Sequence, residues 1–199
     1  MRKQIEDEIH RNGFYIVDNF LEQKDYQALR RFAQKKHNKG HYKQAKIGYQ
    51  INASHNQTIR RDEICWLDQD SSGPSLSAYF AKTQALAEKL NQTLFLGLTD
   101  FEAHLSIYQP GAFYKKHIDQ FALAKERCIS CVYYLNENWQ ESFAGQLKIY
   151  DQKEELIVSV LPQGNRFICF RSELLHEVCE TKQTRYSIAG WMKIRPLSG

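Results

Sequence analysis

In the tripeptide His117-Ile118-Asp119 an imidazole and a carboxylate stand two residues apart, so on an extended chain both leave the same face and can converge on one ion. His176, in Leu174-Leu175-His176-Glu177-Val178, follows far enough downstream for several strands to intervene and return the chain. Two imidazoles and one carboxylate on one face of an octahedron leave three positions open, which suits iron(II) with a chelating cosubstrate and oxygen. Zinc enzymes use a similar set, and an H-x-D tripeptide by itself also fits surface or hydrogen-bonded side chains.

Nine residues beyond His176, Arg185 opens the segment RYSIAGWMKI, where Arg185, Ser187 and Ala189 share one face of a strand. A guanidinium turned inward is costly to bury unpaired, but it binds a carboxylate through two parallel hydrogen bonds and so could anchor a dicarboxylic oxoacid. The bland alternative is a buried structural ion pair with Glu173, Glu177 or Glu180. Tyr134, in CVYYLN, offers a hydroxyl to the same carboxylate, and Tyr108, before the Pro110-Gly111 turn, offers another near the metal. Either tyrosine alone fits a core residue with a satisfied hydroxyl.

These residues need a frame. From Asp100 the hydrophobic period is two: Phe101, Ala103, Leu105 and Ile107 point one way, and Glu102, His104, Ser106 and Tyr108 the other. Further strands are expected in RCISCVYYLN, GQLKIY, ELIVSV, RFICF and RYSIAGWMKI, divided by turn signals such as Pro162-Gln163-Gly164. Many short strands without intervening helices indicate a jelly roll or barrel. Before them, SLSAYFAKTQALAEKL carries apolar residues at three- and four-residue steps after a Ser-Gly-Pro start, and Gln23 to Lys36 does the same with Tyr26, Leu29, Phe32 and Ala33. The segment FYIVDNFL reads as extended, and the polar stretch from Gly48 to Trp66 reads as a long mobile loop that gains a pattern only at EICW.

A chain of 199 residues, 42% hydrophobic and 13% aromatic, supports one well-buried core. A single domain over 1–199 is expected, with residues 1–95 as helical support and mobile loop and 100–195 as the β core. The net charge of +4 does not gather into a basic stripe, so no nucleic-acid partner is expected. Arg30-Arg31 with Lys35-Lys36 reads as the solvated face of a helix. No signal peptide or membrane span is evident, and a cytoplasmic location without membrane association is expected. Cys65, Cys128, Cys131, Cys169 and Cys179 read as reduced, mostly buried thiols. Cys128 and Cys131 match C-x-x-C, but residues three apart on a strand diverge, so a structural role is preferred. His10, His37, His41, His55 and His104 have no ligand-like company, although His104 shares a strand face with Tyr108.

The segments YQPGAFYKKHID, RCISCVYYLNENW, AGQLKIY and RYSIAGW, with the spacing from His176 to Arg185, resemble the prolyl 4-hydroxylases of the EGL-nine type, which include bacterial members. The resemblance covers roughly Ile59 to Ile194, with IRRDEICW similar to the end of the family's substrate-closing loop and GFYIVDNFL to its first strand. It implies an α+β fold in which a double-stranded β-helix, cupin-like, carries the N-terminal helices on its larger sheet. It implies Fe(II) held by His117, Asp119 and His176, and 2-oxoglutarate held at its 5-carboxylate by Arg185 and Tyr134, with Tyr108 beside both. Leu147 and Trp191 would line the pocket, and Arg60 and Asp62 would lie on the closing loop. Ser187 departs from the small apolar residue of the family; Arg-x-Ser is similar to other 2-oxoglutarate oxygenases, and the hydroxyl could add a hydrogen bond to the carboxylate. The implied activity is O2-dependent hydroxylation of a prolyl residue at C4 in a protein, with release of succinate and CO2 and with ascorbate as a candidate reductant. No catalytic acid or base beyond the metal ligands is required, and a translation factor is a candidate protein substrate.

Two rivals stand beside this reading. A nucleic-acid demethylase of the same fold shares the metal and arginine pattern but tends to carry a second arginine where this chain has Trp191. A zinc-binding cupin-like protein accounts for the triad but gives Arg185 no task.

Overall fold

In the computed structural model, residues 4–46, 55–68, 73–120 and 125–195 are described. Helix α2 (Gln23–Asn38) buries Tyr26, Leu29 and Ala33, and helix α3 (Pro74–Leu94) starts with proline in its first turn and buries Leu76, Tyr79 and Leu90. Both extend slightly beyond the expected segments. A helix that the pattern did not suggest, α1 (Ile5–Asn12), buries only Ile5 and Ile9, one turn apart among charged residues. It ends where Gly13 takes φ +78° and its amide bonds to the Ile9 carbonyl, a left-handed cap that glycine adopts without steric cost.

The strands are β1 (Phe14–Val17), β2 (Lys43–Gln44), β3 (Glu63–Trp66), β4 (Leu98–Tyr108), β5 (Tyr114–His117) and β6 (Arg127–Tyr134), followed by β7 (Leu147–Tyr150), β8 (Leu156–Val160), β9 (Phe167–Arg171), β10 (Leu175–Val178) and β11 (Arg185–Ile194). They form a seven-stranded sheet, β1-β9-β6-β11-β4-β3-β2, and a four-stranded sheet, β5-β10-β7-β8, both antiparallel. This is the double-stranded β-helix that the family resemblance implied, a form of the jelly roll or barrel indicated by the many short strands. Its two faces follow the period-two pattern. Ala103, Leu105 and Ile107 join Ile129, Cys131, Tyr133, Ile188 and Met192 in a core shared with the three helices. Tyr108, Tyr134, Leu147, Ile149, Ile168, Phe170 and Val178 form a second core between the sheets.

Aromatic packing ties the helical layer to the sheet: Phe20, just before α2, stacks on Phe167 at 4.3 Å, and Tyr79 of α3 packs tilted against Tyr133 at 5.5 Å. Asn165 pins the entry to α2, its side chain accepting from the Leu21 amide and from the Tyr133 hydroxyl and donating to the Leu21 carbonyl. Beside it, Gly164 lets Tyr26 approach and donate to the Asn136 carbonyl. A Cβ at position 164 would be driven into both that carbonyl oxygen and the Tyr26 hydroxyl. Gly164→Ala is therefore expected to cost about 3 kcal/mol, a Tm lower by roughly 6–12 °C, with the loss visible in thermal unfolding.

The five cysteines are free thiols, Cys131 and Cys169 fully buried and the other three partly exposed, so fewer are buried than expected. Residues 47–54, which make up most of the first half of the expected loop, lie outside the described residues. Among the described residues, no helix is long and apolar enough to cross a membrane.

Candidate active site

Strand β5 delivers His117 at its last residue, and antiparallel β10 places His176 directly opposite it. Asp119 lies just past the end of β5, where its amide and that of Gln120 both donate to the Ser172 carbonyl at 3.2 Å. The three side chains meet: His117 Nε2 is 3.6 Å and His176 Nε2 3.4 Å from the Asp119 carboxylate, and the ligand atoms all lie within 4.8 Å of one another. In each imidazole Nδ1 faces the carbonyl two residues upstream, Lys115 for His117 at 2.7 Å and Leu174 for His176 at 2.8 Å. That contact makes Nδ1 the donor and leaves Nε2 for a metal.

Burial opposes charge at all three groups. It pushes His117 down to about 3, the neighbouring His176 adding to the effect, so this imidazole is neutral. Burial also works against His176, but the Asp119 carboxylate outweighs it through charge and hydrogen bond and raises its pKa. Asp119 is held well below the usual carboxylate range, burial being overcome by His176, His117 and the Ser130 hydroxyl. The metal-free triad thus favours a proton on His176 more than a free imidazole does, and metal binding would compete with that proton.

Ser130 and Ser172 form a support that the sequence pattern did not single out. Ser130 Oγ donates to Asp119 Oδ2 at 2.7 Å and lies 2.9 Å from Ser172 Oγ. Ser130→Ala frees the carboxylate to rotate, and titration with Fe(II) or Mn(II) is expected to show metal binding about 10–100-fold weaker with the fold intact. Tyr114 also escaped notice: its ring stacks on His117 at 3.5 Å, with the Arg60 guanidinium 4.6 Å from the ring centre.

Arg185, 1% exposed, starts β11 opposite Tyr108. Its Nε donates to the Gly145 carbonyl at 3.1 Å and its Nη1 to the Ser187 hydroxyl at 3.2 Å. None of Glu173, Glu177 and Glu180 pairs with it, and among the described residues no carboxylate does. The Tyr108 and Tyr134 rings flank the guanidinium at 4.9 and 5.1 Å, and the fully buried Tyr134 hydroxyl has no hydrogen-bond partner. Gly145 belongs to this clamp: it has φ +72°, and a Cβ there would come within 3.1 Å of Thr181 and 3.3 Å of Arg185 Cδ. A buried cation, an unused hydroxyl and no counter-charge together make a receptor for a carboxylate.

A cavity of about 740 Å³ joins the triad to the pocket walls, lined by Tyr108, Leu147 and Trp191 and by Arg60. Asp62 behaves differently from a loop residue that meets a partner. It is fully buried and holds Arg60 through two hydrogen bonds of 2.5 and 2.9 Å, because an arginine in this position needs a counter-charge. Three histidines without expected company, His41, His55 and His104, also line the cavity. Cys128 and Cys131 are not bonded, and Cys131 lies opposite Cys169 in the helix-side core.

Comparison with known proteins places this geometry. A profile described as the 2OG-Fe(II) oxygenase superfamily matches residues 103–193. The crystal structure of a Pseudomonas putida prolyl-4-hydroxylase superposes with a TM-score of 0.86 at 32% identity, covering 96% of this chain and 97% of that one. A prolyl hydroxylase from Trichoplax adhaerens, solved with a peptide fragment of the hypoxia inducible factor oxygen degradation domain, gives 0.85 at 25% identity, covering 95% and 87%. Egl nine homolog 1 of Mus musculus is 26% identical over 192 residues, 92% of this chain and 47% of that protein. The chain thus spans about half the length of the curated relatives it matches first.

Proposed function

The chain belongs to the 2OG-Fe(II) oxygenase superfamily, and on that premise we propose that it is a dioxygenase hydroxylating a prolyl residue at C4 in a protein substrate. In this reading one domain spans residues 1–199. His117, Asp119 and His176 hold Fe(II) through two Nε2 atoms and a carboxylate, and Arg185, Tyr134 and Ser187 hold the 5-carboxylate of 2-oxoglutarate. The observation that carries it is the buried guanidinium without an anionic partner beside an unused hydroxyl, which a zinc hydrolase would have no reason to maintain.

When bound, iron and 2-oxoglutarate use O2 to oxidise the cosubstrate to succinate and CO2 and supply one oxygen atom to a substrate C–H bond. The residues of the chain position and exclude. Arg185 fixes one end of the oxoacid by a fork of donors, and the Tyr134 hydroxyl donates to the same oxygens. The Nδ1 contacts of both histidines hold the rings in the ligating tautomer. Leu147, Val178 and Phe170 give the cavity beside the triad an apolar wall. No side chain is assigned as general acid or base.

The prolyl assignment rests on the named relatives, and a translation factor is a candidate partner. Incubation with Fe(II), 2-oxoglutarate, ascorbate and O2 should yield succinate in proportion to a one-oxygen gain on a proline of a host protein, read by mass spectrometry. Turnover confined to methylated oligonucleotides would sink the prolyl reading. Absence of a metal-to-ligand charge-transfer band on anaerobic addition of Fe(II) and 2-oxoglutarate would sink the oxygenase reading.

A further inference from the structure

Contrary to the expectation drawn from the net charge of +4, the positive charge gathers in one place. Residues 26–61 hold nine lysines and arginines and no acidic residue, while the rest of the chain has more acids than bases. Arg31, Lys35 and Lys39 follow one another at four-residue steps along α2 and its cap, so their side chains share one face. All three are exposed, as are Lys43 of β2 and Lys46 just past it. Among the described residues none of these five cations has an acidic partner. Arg30 and Arg60, from the same segment, do have one, in Glu137 and Asp62.

Stability does not account for this arrangement. Like charges four residues apart on a helix repel and slightly destabilise it. The helix dipole favours Lys35 and Lys39 at the C-terminal end of α2, but it fades within the last turn and does not serve Arg31, Lys43 or Lys46. The cations also stand on a firm base. Past α2 the chain turns back through hydrogen bonds from the Gly40 amide to the His37 carbonyl at 2.8 Å and from the His41 amide to the Lys36 carbonyl at 3.1 Å. The Ala45 amide then donates to the Asp62 carbonyl at 3.0 Å, tying the end of β2 to the buried Arg60–Asp62 pair.

This ledge runs into the cavity. His41, Lys43 and Lys46 line it, and Lys43 lies opposite Ile64 of β3, which lines it too. Asp119 is the one carboxylate in that lining, and it belongs to the triad.

The spacing and type of the cations define what fits. From Arg31 to Lys39 the helix advances roughly 12 Å in two steps of about 6 Å. Alternate residues of an extended polypeptide recur at about 6.6 Å, so acidic residues at every second position would meet successive cations. Lysine predominates, and it binds as a point charge, whereas the planar fork of arginine matches phosphate. Tyr42 is buried and Phe32 packs against the helix-side core, so neither offers nucleic-acid bases a face to stack on.

We propose that Arg31, Lys35 and Lys39, continued by Lys43 and Lys46, dock an extended acidic segment of the same protein whose target residue enters the cavity. This deepens the hydroxylase reading, on which the role of the cavity rests, and gives its protein substrate a charge pattern.

The test uses two fluorescein-labelled peptides with a central proline flanked on both sides, after four serines, by Glu-Ser-Glu-Ser-Glu or by the same run with glutamine for glutamate. Fluorescence anisotropy is read with the full chain, metal-free and loaded with Zn(II) and 2-oxoglutarate. The glutamate peptide should bind about tenfold or more tightly at about 0.1 M salt, and the advantage should shrink at about 0.5 M. The variant Arg31→Gln/Lys35→Gln/Lys39→Gln should lose most of that advantage, with its Tm unchanged or raised and its 2-oxoglutarate affinity equal. With Mn(II) in place of Zn(II), the proline ring protons of the bound glutamate peptide should be broadened in the NMR spectrum. Equal affinity for the two peptides, or an advantage kept by the triple variant, overturns the proposal. Broadening confined to the glutamates overturns it as well, since the docked segment would then not lead into the cavity. Tighter binding of hexauridylate than of the glutamate peptide, through the same three residues, overturns the choice of a polypeptide. Failure of Mn(II) to bind overturns the oxygenase reading instead, and the peptide preference is measured without it.

Discussion

His117→Ala and His176→Ala are both expected to abolish Fe(II) binding and turnover, yet to differ in the stability of the metal-free protein. Each substitution leaves a two-ligand site, too few to hold the ion against water. The metal-free consequences diverge because burial lowers the pKa of His117 while the Asp119 carboxylate raises that of His176. His117 is neutral and stacked on Tyr114, so its loss removes packing worth about 1 kcal/mol. His176 faces Asp119 in a buried site, its pKa raised by that carboxylate, and its loss removes the neighbour that does most to hold Asp119 ionised, at a cost of about 3–5 kcal/mol. The double variant His176→Ala/Asp119→Ala should regain part of that loss. Melting curves with and without Fe(II) read both effects. Equal destabilisation by the two single variants would contradict the charge assignment, and iron retained by either would contradict the triad.

Arg185→Met separates cosubstrate binding from folding. If the guanidinium were one half of a structural ion pair, its removal would destabilise the chain. With no carboxylate partner, replacing it by an apolar side chain of similar length should leave the metal-free Tm unchanged or raised. The affinity for 2-oxoglutarate, measured by calorimetry on Mn(II)-loaded protein, should fall about 100-fold or more, the effect of losing two charge-assisted hydrogen bonds. A Tm lowered by several degrees with unchanged 2-oxoglutarate affinity would return Arg185 to the structural role.

What the sequence disclosed depended on the range of each interaction. The alternation along β4 is a local signal, and it separated Leu105 and Ile107 in the helix-side core from His104 and Tyr108 at the cavity. His117, Asp119, His176 and Arg185 were legible because few side-chain types do their chemistry. Their supports were not. Ser130 finds Ser172 42 residues away, and Gly145 receives Arg185 from 40, pairings that only the folded sheets create. Asp62 lies in the link before β3, but its burial was not legible because it follows from Arg60 turning inward with it. Helix α1 was missed because its apolar face consists of two isoleucines among charges. His104 was seen on the right face, but an unsatisfied ring nitrogen has no counterpart in a string of letters.

Strand β11 holds the centre of the seven-stranded sheet, hydrogen-bonded on one side to β6 and on the other to β4, and it carries both Arg185 and Trp191. A slip of one residue would turn all its inward side chains outward, so this strand acts as a fixed ruler that sets how far Trp191 stands from Arg185. By contrast β2 and β3, which bring Lys43 and Trp66 to the cavity, lie at the sheet's margin. The sheet is thus divided into a centre whose register is held from both sides and a margin whose outermost strand, β2, is held from one side only. A change on β2 can therefore reshape the rim of the cavity at Lys43 without disturbing the register that holds Arg185.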